Sequence, residues 1–255
     1  MTTATTMRLR FAKRGDLRLI SHRDLLRCLE RMLRRARLPV AMSQGFNPRA
    51  RIVFALPLGL GIEGCDEIVD LELSRPEDPG DVLRRLRDVS PPGFAWLDAE
   101  AIPGRAPAPR PVAAEYRLEV PPERRREARS ALQALLGETS RPVIRRRQDS
   151  SREQPVDVRA ALLDAELTDD GTLRARLRVT PEGSARPEEL LEALGLRDLL
   201  DRGSVVARAR VELASADERT TVGARGGSTC PSQADGRDGP GSPPRPSREP
   251  NTTTT

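Results

Sequence analysis

The sequence predicts an α+β fold of two tandem ferredoxin-like (βαββαβ) domains, and three observations lead there. Alternating and helical apolar periodicities succeed one another as strand, helix, strand, strand, helix, strand across residues 7–102. The stretch PGRAPAPRPV, residues 103–112, carries Pro at 103, 107, 109 and 111, a density that forbids helix or central strand and reads as an interdomain linker. The same order of elements then returns across residues 113–214 with one strand more, which reads as an insertion.

Each element has its own warrant. Met7 to Ile20 alternates, with Leu9 and Phe11 against Arg8 and Arg10, and reads as a strand continuing past the Gly15 turn. Ser21 to Leu38 is the strongest helix signal: Leu25, Leu29, Met32, Leu33 and Ala36 recur at three- and four-residue spacing. A loop bearing Gly and Pro, SQGFNPRA, leads into a short apolar strand, Ile52–Leu56. Residues 65–74 alternate again, with Val69, Leu71 and Leu73 on one face and Asp70 and Glu72 on the other, where they read as solvated carboxylates. A second helix starts at Pro79 behind an Asp78 N-cap, and Phe94–Ile102 closes the half as a strand. In the second half Tyr116–Val120 is a strand and Glu123–Leu136 a helix; Val143–Arg147, Val156–Leu167 and Thr172–Thr180 are strands. A hairpin turn at Asp169-Asp170-Gly171 joins the last two, a helix starts at Pro187, and Val205–Leu213 is the final strand.

Residues 215–255 are rich in Gly, Pro, Ser and Thr and nearly devoid of large apolar groups, so this tail is expected to be disordered. No apolar run reaches the roughly eighteen residues needed to cross a bilayer, and MTTATTMRLR has no apolar signal core, which points to a cytoplasmic chain. Cys28, Cys65 and Cys230 lie far apart and there is one His, so neither a disulfide framework nor a Cys/His metal or iron–sulfur site is expected from this chain alone. The reading therefore includes no cofactor and no metal.

Charge is unevenly spread. Residues 1–51 hold 13 basic and 3 acidic groups, net +10, whereas residues 52–102 hold 4 and 11, net −7. Nearly all the basic groups are arginines, whose planar forks suit phosphate and carboxylate. Arg23, Arg27, Arg31, Arg34 and Arg35 occupy the polar face of the first helix, and Arg49 and Arg51 flank the following loop. Such a surface either gathers polyanions or is simply solvated, and the acidic strand around Asp70 and Glu72 is a further destination for part of it. Phe46, in the Gly-Phe-Asn-Pro loop among these arginines, is a candidate for stacking on a base, and Asn47 beside it joins the arginines as a candidate RNA- or partner-binding residue. Arg145, Arg146 and Arg147 offer a second phosphate contact or a solvated hairpin.

Two motifs have competing readings. Gly59-Leu-Gly61-Ile-Glu-Gly64 matches G-x-G-x-x-G, but an acidic strand follows where a dinucleotide site needs a helix, so it reads as a glycine-rich hairpin. Ser21 and Asp24 frame a capping box at the first helix, with Ser21 accepting the Asp24 amide and Asp24 returning a bond to the Ser21 amide. Between them stands His22, the one imidazole in the chain. At a positive helix end it is a candidate general base that removes a 2′-hydroxyl proton from RNA without metal.

These words carry a resemblance. FAKRGDLRLISHRDLLRCLERMLRRARLPVAMSQGFNPRARIVFALPLGLGIEG followed by DEIVDLEL, and later PVDVRAALLDAEL and VTPEGSARPEELLEALGL, resemble the radical-SAM-linked protein family over residues 7–213. That family is an uncharacterised domain found as a separate chain or joined to a B12-binding-type radical-SAM protein. Ser21, His22, Asp24, Ser43, Gly45, Phe46, Asn47 and Pro48 match its words, while Arg49-Ala50 stands where the family often has His-Pro. The resemblance implies work beside a radical-SAM protein and near RNA metabolism; tRNA or rRNA is a further candidate partner of the basic surface. The resulting expectation is a non-catalytic RNA-associated accessory protein. A metal-independent endoribonuclease using His22 and a pure protein-interaction module are the alternatives.

Overall fold

Strand β1 (Thr5–Lys13) organises the first half because both its edges are paired. In the computed structural model, which describes residues 5–103, 106–147, 150–181 and 183–214, β1 runs antiparallel to β3 (Glu63–Leu73) on one side and to β4 (Phe94–Pro103) on the other. The side chains at 103, 146–147 and 150–152 are not described, and the expected tail lies outside the described residues. Short β2 (Ile52–Phe54) pairs with the far end of β3, giving the order β2-β3-β1-β4. Helices α1 (His22–Arg35) and α2 (Pro79–Arg87) make the two crossovers.

The second half arranges β8 (Leu162–Leu167), β9 (Thr172–Thr180), β5 (Pro111–Glu119) and β11 (Ala207–Leu213) in that order, with β10 (Gly183–Ser184) also on β9. Its helices are α3 (Arg125–Gly137), α4 (Val158–Ala161), α5 (Pro187–Ala193) and α6 (Asp198–Asp201). β11 also lies parallel to the start of β3, through Ala207 opposite Glu63 and Arg208 opposite Gly64. The two strand sets therefore form one sheet, nine-stranded among the described residues and mostly antiparallel. The fold is mixed α+β, and no described helix is long and apolar enough to cross a membrane.

Three element readings change, each for a local reason. Gly15, at φ +61°, ends β1 early and donates its N–H to Glu63 Oε1 at 2.7 Å, and the chain coils into a 3-10 turn, Gly15–Leu19. The expected strand 156–167 breaks at Asp157, whose carboxylate accepts from Ala160 N (3.1 Å), Arg141 N (3.0 Å) and the Ser140 hydroxyl (2.7 Å). Those bonds offer the backbone the helical turn α4 instead of a ladder. The extra strand is a separate hairpin, β6 (Pro142–Arg147) with β7 (Ser150–Asp157).

Alternation explains the packing. Met7, Leu9 and Phe11 of β1 and Val69, Leu71 and Leu73 of β3 bury against Leu25, Leu29, Met32 and Leu33 of α1 and Val82 and Leu86 of α2. Each such side chain contributes about 2 kcal/mol of transfer free energy. Phe11 stacks on Phe94 with centroids 5.1 Å apart. The opposite face is polar, and here Asp70 and Glu72 correct the expectation of solvated carboxylates. Arg8 sits opposite Asp70 in register and donates Nε and Nη2 to it at 2.8 Å each, while Arg51 donates to Glu72 at 2.9 Å. Cross-strand register brought them together, and alternation alone carries no register.

One buried ion pair ties the halves. Arg208, 2% exposed, donates Nε to Glu67 Oε1 at 2.8 Å and Nη2 to Glu67 Oε2 at 2.5 Å. Its remaining donors reach the carbonyls of Pro57 (3.0 Å) and Leu56 (2.9 Å). Burial works against the charge, but the Glu67 carboxylate outweighs it and holds Arg208 above its ordinary value. Lys13, the sole lysine, is buried beside this pair; burial pushes it below its ordinary value, with Glu67 opposing and Arg208 assisting.

Candidate nucleic-acid interface

Helix α1 is held at its start by a contact visible in its own sequence, and at its end by a local turn and by Arg85 of α2. Ser21 accepts the Asp24 amide at 3.2 Å. The return contact runs from the Ser21 hydroxyl to Asp24 Oδ2 at 2.7 Å, in place of the amide bond expected. That hydroxyl, with Arg27 and Arg23 assisting, holds the Asp24 carboxyl below its ordinary value. At the other end Arg37 takes the left-handed conformation, φ 52°, so that Leu38 N–H reaches Leu33 O (3.1 Å) and Arg37 N–H reaches Arg34 O (3.1 Å). Arg85 of α2 donates Nε to the Ala36 carbonyl at 2.9 Å and also reaches the Arg37 carbonyl, closing the helix end.

This C-terminal turn sends Leu38–Met42 back alongside the helix. Val40 bridges to Leu73, and Ala41 N–H donates to Glu72 O at 2.7 Å. Met42 bridges to Ala50, and Ser43 and Arg49 exchange two bonds: Ser43 N–H to Arg49 O (2.8 Å) and Arg49 N–H to Ser43 Oγ (3.0 Å). The result is a small arm whose tip, residues 44–48, is exposed, with Phe46 fully so at 106%.

Between arm and helix lies a groove of about 680 Å3. Its apolar lining includes Leu26, Leu33, Val40, Met42 and Pro48, and its polar lining is Arg23, Arg27, Arg34, Arg49 and Glu30. Helical geometry explains the selection: Arg23, Arg27, Glu30 and Arg34 fall within roughly 60° of one another on a 3.6-residue helix. Arg31 and Arg35 point roughly 80° and 120° away from Arg23, so they are exposed but outside the groove.

The arginines divide by partner. Arg27 pairs with Asp24 at 3.3 Å, both largely exposed, so solvent screens the contact. Arg23, Arg31, Arg34, Arg35 and Arg49 form no ion pair with a carboxylate among the described residues, although Arg34 Nε contacts the Glu30 carbonyl at 3.4 Å. Arg51, engaged by Glu72, points to the sheet side. Arg145, expected as a phosphate contact, is instead bound to Glu189 through Nε (2.5 Å) and Nη2 (2.8 Å) and to Ser184 O (2.7 Å). Arg146 and Arg147 lie in β6, with side chains outside the described residues, and Asn47 sits at the exposed arm tip beside Phe46.

His22 is turned about 100° from Arg23, in the sense opposite to Arg31. Its ring meets Phe54 edge-on with centroids 4.8 Å apart. Among the described residues no group of three or more His, Cys, Asp or Glu converges on one point, and Cys28 and Cys65 are free and half-buried. The groove's apolar lining went unseen in the sequence. Its signal was Leu26, an apolar residue beside the core stripe of α1, together with the apolar run Val40-Ala41-Met42.

Residues 6–187 match a family described as an uncharacterized protein conserved in bacteria (DUF2344). The chain belongs to that family. The match takes in the whole of α1, the arm and the groove of this DUF2344 chain, and no curated protein matches it. A crystal structure of an unknown protein from Galdieria sulphuraria aligns over 84% of this chain and 100% of its own, at 13% identity and a TM-score of 0.24.

Proposed function

We propose that this DUF2344 chain is a non-catalytic, RNA-associated accessory protein that works with a radical-SAM enzyme in RNA modification or processing. One observation carries the reading. Arg23, Arg34 and Arg49, none paired with a carboxylate among the described residues, line a single groove beside a fully exposed Phe46. Guanidinium groups held around a concave surface, with an aromatic alongside, match a phosphate-bearing chain whose bases are accessible. His22 is given a contact role with Phe54, its exposed ring meeting that side chain edge-on, about 100° round the helix from Arg23.

The finer architecture belongs to the same reading. Each strand set, β2-β3-β1-β4 and β8-β9-β5-β11, follows the order of a ferredoxin-like unit, so we read residues 7–102 and 113–214 as two such units fused edge to edge across 103–112. The radical-SAM partner rests on the resemblance of the Ser-His-x-Asp and Gly-Phe-Asn-Pro words, and it would supply the iron–sulfur cysteines itself.

The test is fluorescence anisotropy with labelled tRNA and rRNA fragments across a salt series. Binding is expected to weaken steeply with salt, and the triple variant Arg23→Glu, Arg34→Glu, Arg49→Glu should abolish it. Arg35→Glu, off the groove, should cost much less. Unchanged affinity in the triple variant would remove the proposal.

A further inference from the structure

The groove holds more than its proposed phosphate contacts need. A surface that only tracks a backbone requires positive charge, yet this one is also lined by apolar side chains, among them Leu26, Val40 and Met42, the last 49% exposed. Its volume, about 680 Å3, lies inside the roughly 300–1,000 Å3 that small-ligand pockets span. Glu30 also lines it, and no arginine forms an ion pair with that carboxylate among the described residues, although Arg27 and Arg34 lie one helical turn to either side. A carboxylate among phosphate-binding arginines repels the backbone. It becomes useful only if N–H donors face it.

We infer, building on the RNA reading above, that the groove takes one unpaired nucleotide of a single strand. Its base lies on Leu26, Val40 and Met42, its phosphates meet Arg23, Arg34 and Arg49, and Phe46 stacks on the neighbouring base. Glu30 accepts hydrogen bonds from the edge of the base. Guanine fits best, because its ring N–H and its amino group are adjacent parallel donors that match the two oxygens of a carboxylate. Duplex RNA keeps base faces and these donors inside the helix, so the same groove has little to offer it beyond charge.

The experiment measures anisotropy of the full chain with four ten-nucleotide probes at one salt concentration: all-uridine, uridine with one central guanosine, the same with inosine (which lacks the amino group), and a blunt duplex. The guanosine strand should bind at least tenfold more tightly than the duplex and about fivefold more tightly than the inosine strand. Glu30→Gln should erase the guanosine-over-inosine preference. Met42→Asn, a neutral change at an exposed position checked by circular dichroism, should weaken the single strand at least fivefold and leave the duplex unchanged. Equal binding of strand and duplex, or Met42→Asn weakening both alike, overturns the inference while leaving the RNA reading in place. A guanosine preference that survives Glu30→Gln overturns the role of Glu30. Absence of binding both to every probe and to every cellular RNA fraction overturns both readings together.

Discussion

Removing the Arg208 guanidinium should be among the most damaging single changes in the chain. Arg208→Met leaves the aliphatic stem roughly in place but strips the fork from Glu67, whose side chain is 3% exposed, and from the carbonyls of Leu56 and Pro57. Breaking one side of a buried pair costs about 3–5 kcal/mol. Lys13 lies within the field of Glu67 and stays after the substitution, which places the expected loss near the low end, about 3 kcal/mol. With a urea slope of about 2 kcal/mol per molar, the midpoint should fall by about 1.5 M. The double variant Arg208→Met, Glu67→Leu removes both charges of the pair but leaves Lys13 without the Glu67 carboxylate, so it should recover part of that loss. Equilibrium urea unfolding followed by circular dichroism measures these two variants and the single variant Glu67→Leu. A midpoint shift below about 0.3 M in Arg208→Met would refute the reasoning, since it corresponds to well under 1 kcal/mol. So would a double variant as unstable as the two singles combined.

Arg37→Gly should stabilise the chain by about 1 kcal/mol in thermal or urea unfolding, because φ 52° carries a Cβ penalty that glycine lacks. Ser21→Ala should lose about 1 kcal/mol by removing the acceptor for the Asp24 amide, and Ser21→Asn should retain most of the wild-type value. Lys13 predicts a pH dependence whose sign follows from its lowered folded value. Below the ordinary lysine value of 10.5 the unfolded chain binds more protons than the folded one, so this residue makes stability rise with pH up to that value. Unfolding curves of Lys13→Met across pH 7–10.5 should show an advantage over wild type that shrinks as pH increases; a constant difference would contradict the assignment.

Much of the first half was legible because its signals are local. Ser21 and Asp24 marked the start of α1, the spacing of Leu25, Leu29, Met32 and Leu33 marked its buried stripe, and Asp78 with Pro79 marked the start of α2. Local reading failed where a side chain redirected the backbone. Asp157 converted part of an apparent strand into a turn, and the Gly15 N–H followed a carboxylate 48 residues away. For the candidate site, the sequence located the arginines and Phe46 but could not sort them. Arg51 and Arg145 read the same as Arg49 and Arg34 until register and packing set Glu72 beside one and Glu189 beside another.

Periodicity, capping residues and the excess of positive charge in residues 1–51 thus determined the elements, their order and the helix that bears the arginines, since each depends on neighbours within a few positions. Tertiary structure alone decided that β11 joins β3, that Arg208 and Glu67 meet across the seam, and that the Val40–Arg49 arm folds beside α1 to make a groove that four arginines line. Those outcomes turn on pairing between distant strands, and a strand shows in sequence which faces it has, without showing which edge it will meet.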